Sequence, residues 1–129
     1  IYYTEKRGFY IPARCWASGM VCAARKFKLG KVFLSSLSVL DDTPLEYTGP
    51  TTPEERWSKN CYYMASVRVN QARVMRTRAQ FENWSTEVSF LVDLTSIDIE
   101  TVDQVIQTLG SQIGLCDYRP IFGKFEASR

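Results

Sequence analysis

The feature that most constrains the fold of this chain is the order in which two hydrophobic periodicities follow one another. Residues 12–29 and 98–113 repeat apolar side chains at steps of three and four, the spacing of one helix face. Residues 62–81 and 85–94 alternate apolar and polar side chains, as half-covered strands do. The apolar run at 31–40 predicts a further short strand. The pattern therefore indicates an α+β protein.

The first helix has recognisable ends. Pro12 suits its first turn, and Gly30 is expected to stop it. Positive charge at its C-terminal end complements the helix dipole, which gives three basic residues a structural explanation: Arg25, Lys26 and Lys28. The predicted apolar face consists of Ala13, Trp16, Ala17, Met20, Val21, Ala24 and Phe27.

The second helix is expected to begin after Asp98 as N-cap and to end at Gly114. Its apolar face is predicted to contain Ile99, Val102, Ile106, Leu109 and Ile113. A loop then leads to a short final strand around residues 124–127. Between the helices, the alternation of residues 62–81 loses its phase near Asn70–Gln71, which predicts a bulge or a turn there. "FENW" at 81–84 is expected to connect the strand pair to the strand at 85–94.

If the first residues or an upstream segment supply a strand, the order becomes βαββαβ. This is the ferredoxin-like arrangement, with an antiparallel sheet and two helices on one face. The length of 129 residues suits a single domain covering 1–129, with an exposed loop at about 41–57 rich in Pro, Thr and acids. The other sheet face would be open, and the RNA-recognition fold binds single strands on such a face.

Charge is segregated along the chain, although the net charge is only +2. Residues 56–81 contain six Lys or Arg and no acidic residue. Residues 1–31 contain seven Lys or Arg and one acidic residue. Acidic residues concentrate at 41–55 and 82–103. Such segregation can form a positive face that suits phosphates, or it can reflect charges scattered over a solvated surface.

The amino-acid composition argues against several classes of function. The chain contains no histidine, the commonest general acid/base, so binding is favoured over catalysis, and no cofactor is expected. The four cysteines are widely spaced, which favours buried thiols over a zinc site. No apolar run is long enough to span a bilayer, and the N-terminus lacks the apolar stretch of a signal peptide. A protein of the cytoplasm without a membrane partner is therefore predicted.

Two segments carry a resemblance to known families. The glycine-bounded loop "GLCDYRPIFGKF" at 114–125 and the helix entry "YIPARCWASGMVCAARK" at 10–26 resemble elements of the CRISPR-associated RAMP superfamily. That superfamily has a ferredoxin-like core and binds RNA. With "LEYTGP" and "RVMRTR", the same segments resemble a family of uncharacterised bacteriophage proteins over nearly the whole chain. This resemblance implies a phage origin and action in the cytoplasm of the infected bacterial host.

The leading hypothesis is a non-catalytic protein that binds single-stranded DNA or RNA and can oligomerise along the strand. Guanidinium groups match phosphate oxygens, and aromatic rings can stack on bases. The predicted site is Arg68, Arg73, Arg76, Arg78, Arg119, Lys124, Tyr118 and Trp84. Structural interpretations remain open beside this one: the rings as core, the arginines near 73–78 as partners of Glu82, Glu87 or Asp93, and the loop arginine Arg119 as a local salt bridge or turn cap.

Two other hypotheses remain open. A phage structural or interaction protein could form a homo-oligomer, including one that blocks a host defence complex, if the acidic 41–55 segment of one copy met the basic 56–81 segment of the next. An enzyme is the third, but no nucleophile–base pair is visible, and adjacent acids such as Asp41 and Asp42 are usually just solvated.

Overall fold

The structure is a computed structural model that describes residues 2–81, 83–115 and 123–128, apart from the side chain of Ala65. Within these residues the chain is a mixed α+β protein with four α-helices and several small antiparallel sheets. Its internal contacts divide it into two compact units. The first unit comprises Ile1–Ile11 and Thr43–Glu87, and the second comprises Pro12–Asp42 and Val88–Arg129.

The helices are α1 (Ala13–Arg25), α2 (Gly30–Ser36), α3 (Pro53–Ser58) and α4 (Ile99–Thr108), which continues into a π-helical turn (Leu109–Ile113). The strands are β1 (Tyr3–Thr4), β2 (Gly8–Ile11), β3 (Leu37–Val39), β4 (Thr43–Pro44), β5 (Glu46–Tyr47), β6 (Tyr62–Val69), β7 (Ala72–Ala79), β8 (Trp84–Ser85) and β9 (Phe90–Val92).

All strand pairs of the first unit are antiparallel. β2 lies between β1 and β4, β5 pairs with β8, and β6 pairs with β7 over eight residue pairs. The predicted loop at 41–57 is not irregular throughout, because it contains two short strands and most of α3. The predicted break at Asn70–Gln71 is confirmed as the turn between β6 and β7.

In the second unit, α1 buries Trp16, Met20 and Ala24 as the periodicity predicts. Phe27 is 40% exposed, because the helix ends at Arg25 and the chain turns through Lys28 at a left-handed φ of 60°. Gly30 therefore does not stop this helix. The first amide of α1, on Ala13, donates to the Asp42 Oδ1 at 2.8 Å, so the helix start is capped from a distant segment.

The predicted strand at 31–40 is wrong for most of its length. Residues 30–36 form α2, and only Leu37–Val39 form a strand, which pairs with β9. The spacing of buried Phe33, Ser36 and Leu37 is helical, and a run of this length cannot distinguish a buried helix from a strand. The strand expected at 85–94 likewise shortens to Phe90–Val92, and Leu94 is 64% exposed.

The core of the second unit joins its helices through large apolar side chains. Met20, Phe33, Val105 and Leu109 are almost completely buried. In α4, Val105 takes the central buried position expected for Ile106, which is only half-buried. Asp98 occupies the N-cap of α4 as predicted, but its side chain makes no capping hydrogen bond.

The strand expected at 124–127 is not formed, and none of residues 123–128 belongs to a strand. This segment instead lies against the end of α4. The Phe125 amide donates to the Gly110 carbonyl at 3.0 Å, and the Gln107 side chain donates to the Ala127 carbonyl at 2.6 Å. The described strands consequently form separate small sheets, and one four-stranded ferredoxin-like sheet is not among them.

Candidate nucleic-acid interface

The most exposed element of the first unit is the hairpin made by β6, the Asn70–Gln71 turn and β7, which we call the ribbon. Both turn residues have positive φ, 49° for Asn70 and 66° for Gln71. Two successive left-handed residues are typical of the two-residue hairpin turn that matches the twist of a strand pair. At about 3.4 Å per residue, eight residues make an arm of about 27 Å.

Side chains on both faces of the ribbon reach solvent. Met75 is 62% exposed on one face and Tyr63 is 38% exposed on the other, and the most covered of the described side chains on the two strands are only half-buried. A strand pair that packed on a core would bury one face completely. The ribbon therefore presents its side chains outward, as a surface available to a partner.

The register divides the four arginines between two faces. Arg68 lies directly opposite Arg73, and these two share one face, which we call the Arg68 face. Arg76 and Arg78 lie on the other, the Arg76 face. This division agrees with the alternation in the sequence. The Arg68–Arg73 pair lies one residue pair from the turn, while Arg76 and Arg78 lie nearer the base of the ribbon.

The ribbon has positive charge without compensating acids. Neither strand nor the turn contains Asp or Glu. Within residues 2–81, 83–115 and 123–128, no side-chain hydrogen bond or ion pair is made by Arg68, Arg73 or Arg76, whereas Arg78 does have a partner within the chain. Like charges directly opposite on paired strands repel. An external anion would relieve this repulsion at the Arg68–Arg73 pair.

An exposed aromatic stack lies at the base of the ribbon. Trp57 of α3 stacks on Tyr62, the first residue of β6, with ring centroids 4.7 Å apart and planes inclined by 21°. Tyr62 belongs to the Arg68 face, and its hydroxyl donates to the Asn60 Oδ1 at 3.2 Å. Trp57 remains 59% exposed despite this contact. Aromatic rings and arginines therefore share one face.

The other predicted site residues are placed elsewhere. Trp84 lies in β8 opposite Tyr47 and is half-buried, so it is not part of the ribbon. Lys124 is exposed but belongs to the second unit. Tyr118 and Arg119 lie outside the described residues. The structure thus brings together four of the eight predicted residues, and it adds Trp57, which the sequence interpretation missed. The signal was a tryptophan within the charged segment "PEERWSK".

Arg56 belongs to the same basic segment but has a structural role. It is only 4% exposed, and its guanidinium lies 4.0 Å from the ring centroid of Phe81, 4.9 Å from Tyr47 and 5.5 Å from Phe9. The three rings pack on one another nearly edge to face. We call this group the Arg56 cluster. Its attraction is that of a cation for aromatic faces.

Hydrogen bonds tie the Arg56 cluster to the base of the ribbon. The guanidinium donates to the Gln80 carbonyl at 3.1 Å and to the Thr48 carbonyl at 3.2 Å. The Arg56 carbonyl accepts from the Cys61 amide at 2.8 Å, and the Cys61 carbonyl accepts from the Gln80 amide at 3.1 Å. Arg56 therefore binds both segments that flank the ribbon, at Cys61 before β6 and at Gln80 after β7.

In the part of the chain that the structure describes, no group of three or more His, Cys, Asp or Glu could hold a metal ion. No helix of that part has the length and apolar character needed to cross a membrane. Comparison with protein-family models, curated proteins and solved structures found no match.

Proposed function

We propose that the protein is a non-catalytic nucleic-acid-binding protein that contacts phosphates through the arginines of the ribbon, with single-stranded DNA or RNA as its ligand. The observation that carries the proposal is the exposed two-stranded arm with four arginines and no acid on either strand. Guanidinium groups bind phosphate oxygens through paired, charge-assisted hydrogen bonds. The resemblance to phage proteins supports action in a bacterial host.

A binding experiment with labelled oligonucleotides at several salt concentrations tests this proposal. Binding through phosphates releases counterions, so the affinity should fall linearly with salt on logarithmic axes. For single strands the slope is about −0.7 per phosphate contacted. Replacing Arg68 and Arg73 by Ala should therefore reduce the slope by about 1.4 and weaken binding to all sequences similarly.

The matched control removes the same net charge at exposed positions outside the ribbon. Lys6→Ala with Lys31→Ala meets this condition, because Lys6 precedes β2 and Lys31 lies on α2. This variant should retain the wild-type slope. An equal loss in both double variants would mean that only bulk charge matters. A wild-type protein that binds no oligonucleotide at low salt would refute the proposal.

Self-assembly is the second candidate function. Asp41, Glu46, Glu54 and Glu55 are exposed, and their charge complements that of the ribbon. Light scattering without nucleic acid tests this candidate, since the average molecular mass of a self-assembling protein should rise with protein concentration. Reversing Asp41 and Glu46 to Lys should then reduce the mass. Asp42 should be left intact, because it caps α1. A constant monomer mass would exclude this candidate.

For the fold, we propose that the chain follows the ferredoxin-like element order βαββαβ. The antiparallel pair β3–β9 corresponds to the second and third strands in the element order βαββαβ. Helix α1 comes before this pair in the chain, and α4 comes after it. Residues 43–87 would then be an insertion between these strands. An experimental structure of the whole chain is the test. A further strand paired with β3 or β9 would support the proposal, and a β3–β9 pair that stays two-stranded in the whole chain would refute it.

A further inference from the structure

We propose that Trp57 and Tyr62 form a nucleobase-stacking site, and that a single strand runs from this site along the Arg68 face to the Arg68–Arg73 pair. This inference rests on the proposed function and adds to it a stacking position and the path of the strand along one face of the ribbon. The two faces differ in what connects their aromatic and guanidinium groups. The Arg68 face carries Met64 and Met75 between Tyr62 and its arginine pair, whereas the Arg76 face has Tyr63 beside its arginines and valines towards the turn.

Trp57 has a ring surface available for stacking. One face of the indole is covered by Tyr62, in a nearly parallel stack. The residue is nonetheless 59% exposed, so part of the side chain remains open to solvent. A base placed there would extend the existing stack to three rings. Stacking of this kind tolerates any base, because every base has a π-face.

The surface between the stack and the arginine pair suits an extended strand. Arg68 lies six positions after Tyr62 in the same strand, which corresponds to about 20 Å along the ribbon. Met64 and Met75 lie on this path and are among the most exposed apolar residues. Thioether side chains adapt their shape and contact aromatic groups favourably. Ser66 and Thr77 add hydroxyl groups on the same face.

The chemistry of this face favours a single strand over a duplex or a protein partner. In a duplex the bases are already stacked on one another, so an exposed indole can stack only on an unpaired or terminal base. A protein partner would have to supply acids opposite Arg68 and Arg73 and also an apolar surface opposite Trp57. A nucleic-acid single strand carries phosphates and flat rings at every nucleotide.

The test compares three labelled probes of equal length: oligothymidylate, an abasic oligonucleotide with the same phosphates, and a duplex. The wild-type protein should prefer oligothymidylate to both others. Trp57→Leu should weaken oligothymidylate binding about 5- to 100-fold. It should leave binding to the abasic probe unchanged, because that probe has no base to stack.

Two control variants separate the stacking site from other causes. Leu34→Ala removes a residue that is 72% exposed on α2, so it should change no affinity. Replacing Arg76 and Arg78 by Ala should weaken oligothymidylate binding less than replacing Arg68 and Arg73, since the strand follows the Arg68 face. If Trp57→Leu destabilises the fold, Trp57→Phe keeps a ring and should retain most of the affinity.

The outcomes for the two proposals are distinguishable. Salt-sensitive binding that depends on Arg68 and Arg73 but is indifferent to Trp57→Leu would overturn the stacking site and keep the proposed function. Equal losses for the abasic probe and oligothymidylate would do the same. Failure of the wild-type protein to bind any of the three probes would overturn both.

Discussion

Arg56 shows how a single side chain can combine charge, packing and hydrogen bonding. It lies among three aromatic rings and binds two backbone carbonyls, and its Nε is buried without a hydrogen-bond partner among the described residues. A guanidinium tolerates this environment better than an ammonium, because it is planar, more weakly hydrated and able to stack on rings.

Replacing Arg56 by Lys should destabilise the protein by about 2–4 kcal/mol, because the flat stack and at least one charge-assisted hydrogen bond are lost. Denaturant unfolding measures this change. Arg76→Lys on the exposed ribbon is the matched control and should stay within about 0.5 kcal/mol of wild type. Similar stability of the two variants would show that the Arg56 cluster does not depend on the guanidinium.

Asp93 links stability to pH. The side-chain and backbone hydrogen bonds from Thr95 lower the pKa of Asp93 below the ordinary 3.8. The fold therefore favours the charged carboxylate. Its contribution is present above about pH 4 and is lost as the pH falls through the lowered pKa. Asp93→Asn should make the melting temperature less dependent on pH in this window, and Thr95→Val should reduce the dependence partly. An unchanged profile would contradict this assignment.

Among the elements, the ribbon shows the strongest conflict between local preference and structure. Its turn requires positive φ at two residues, and the second, Gln71, is a residue type that rarely adopts it. Asparagine tolerates this region better than glutamine does. The strand pairing on either side of the turn must therefore hold Gln71 in place.

Gln71→Gly should stabilise the protein by about 1 kcal/mol, because glycine adopts the left-handed conformation without steric cost. Gln71→Ala keeps the β-carbon and is the matched control, so it should bring no comparable gain. Thermal unfolding of the three proteins gives the comparison. Oligonucleotide affinity should be unaffected in both variants, since the arginines keep their register. A destabilised Gln71→Gly variant would argue against the assigned turn.

At the scale of the whole molecule, the ribbon is an appendage whose removal should leave a folded protein. Its ends meet at Cys61 and Gln80, which are joined by a backbone hydrogen bond of 3.1 Å. The core residues of the second unit lie outside it, as does the Arg56 cluster. Binding and folding should therefore be separable functions of the chain.

Replacing residues 62–79 by Asn-Gly should produce a protein that unfolds cooperatively but no longer binds oligonucleotides. Circular dichroism and the salt-dependent binding assay report the two properties separately. The replacement removes Tyr62 and the four arginines but keeps Trp57. Retention of wild-type affinity would place the binding surface elsewhere, for example near Lys124. Loss of cooperative unfolding would show that the ribbon is needed for folding.

The sequence alone determined the features that depend on local periodicity and local charge. It predicted the positions of α1 and α4 and the break at Asn70–Gln71, and the strand alternation around that break is consistent with arginines on two faces. These follow from the repeat lengths of helix and strand, which neighbouring residues set. The basic, acid-free composition of the ribbon was also readable, because it involves only adjacent residues.

Only the tertiary structure decided how distant segments meet. It made α2 from a run that could equally form a strand, and it placed the C-terminal segment against α4 instead of in a sheet. It also buried Arg56 among rings from three separate segments and stacked Trp57 on Tyr62. Such contacts depend on which surfaces pack together, and a one-dimensional pattern cannot specify that packing because its partners lie far apart in the chain.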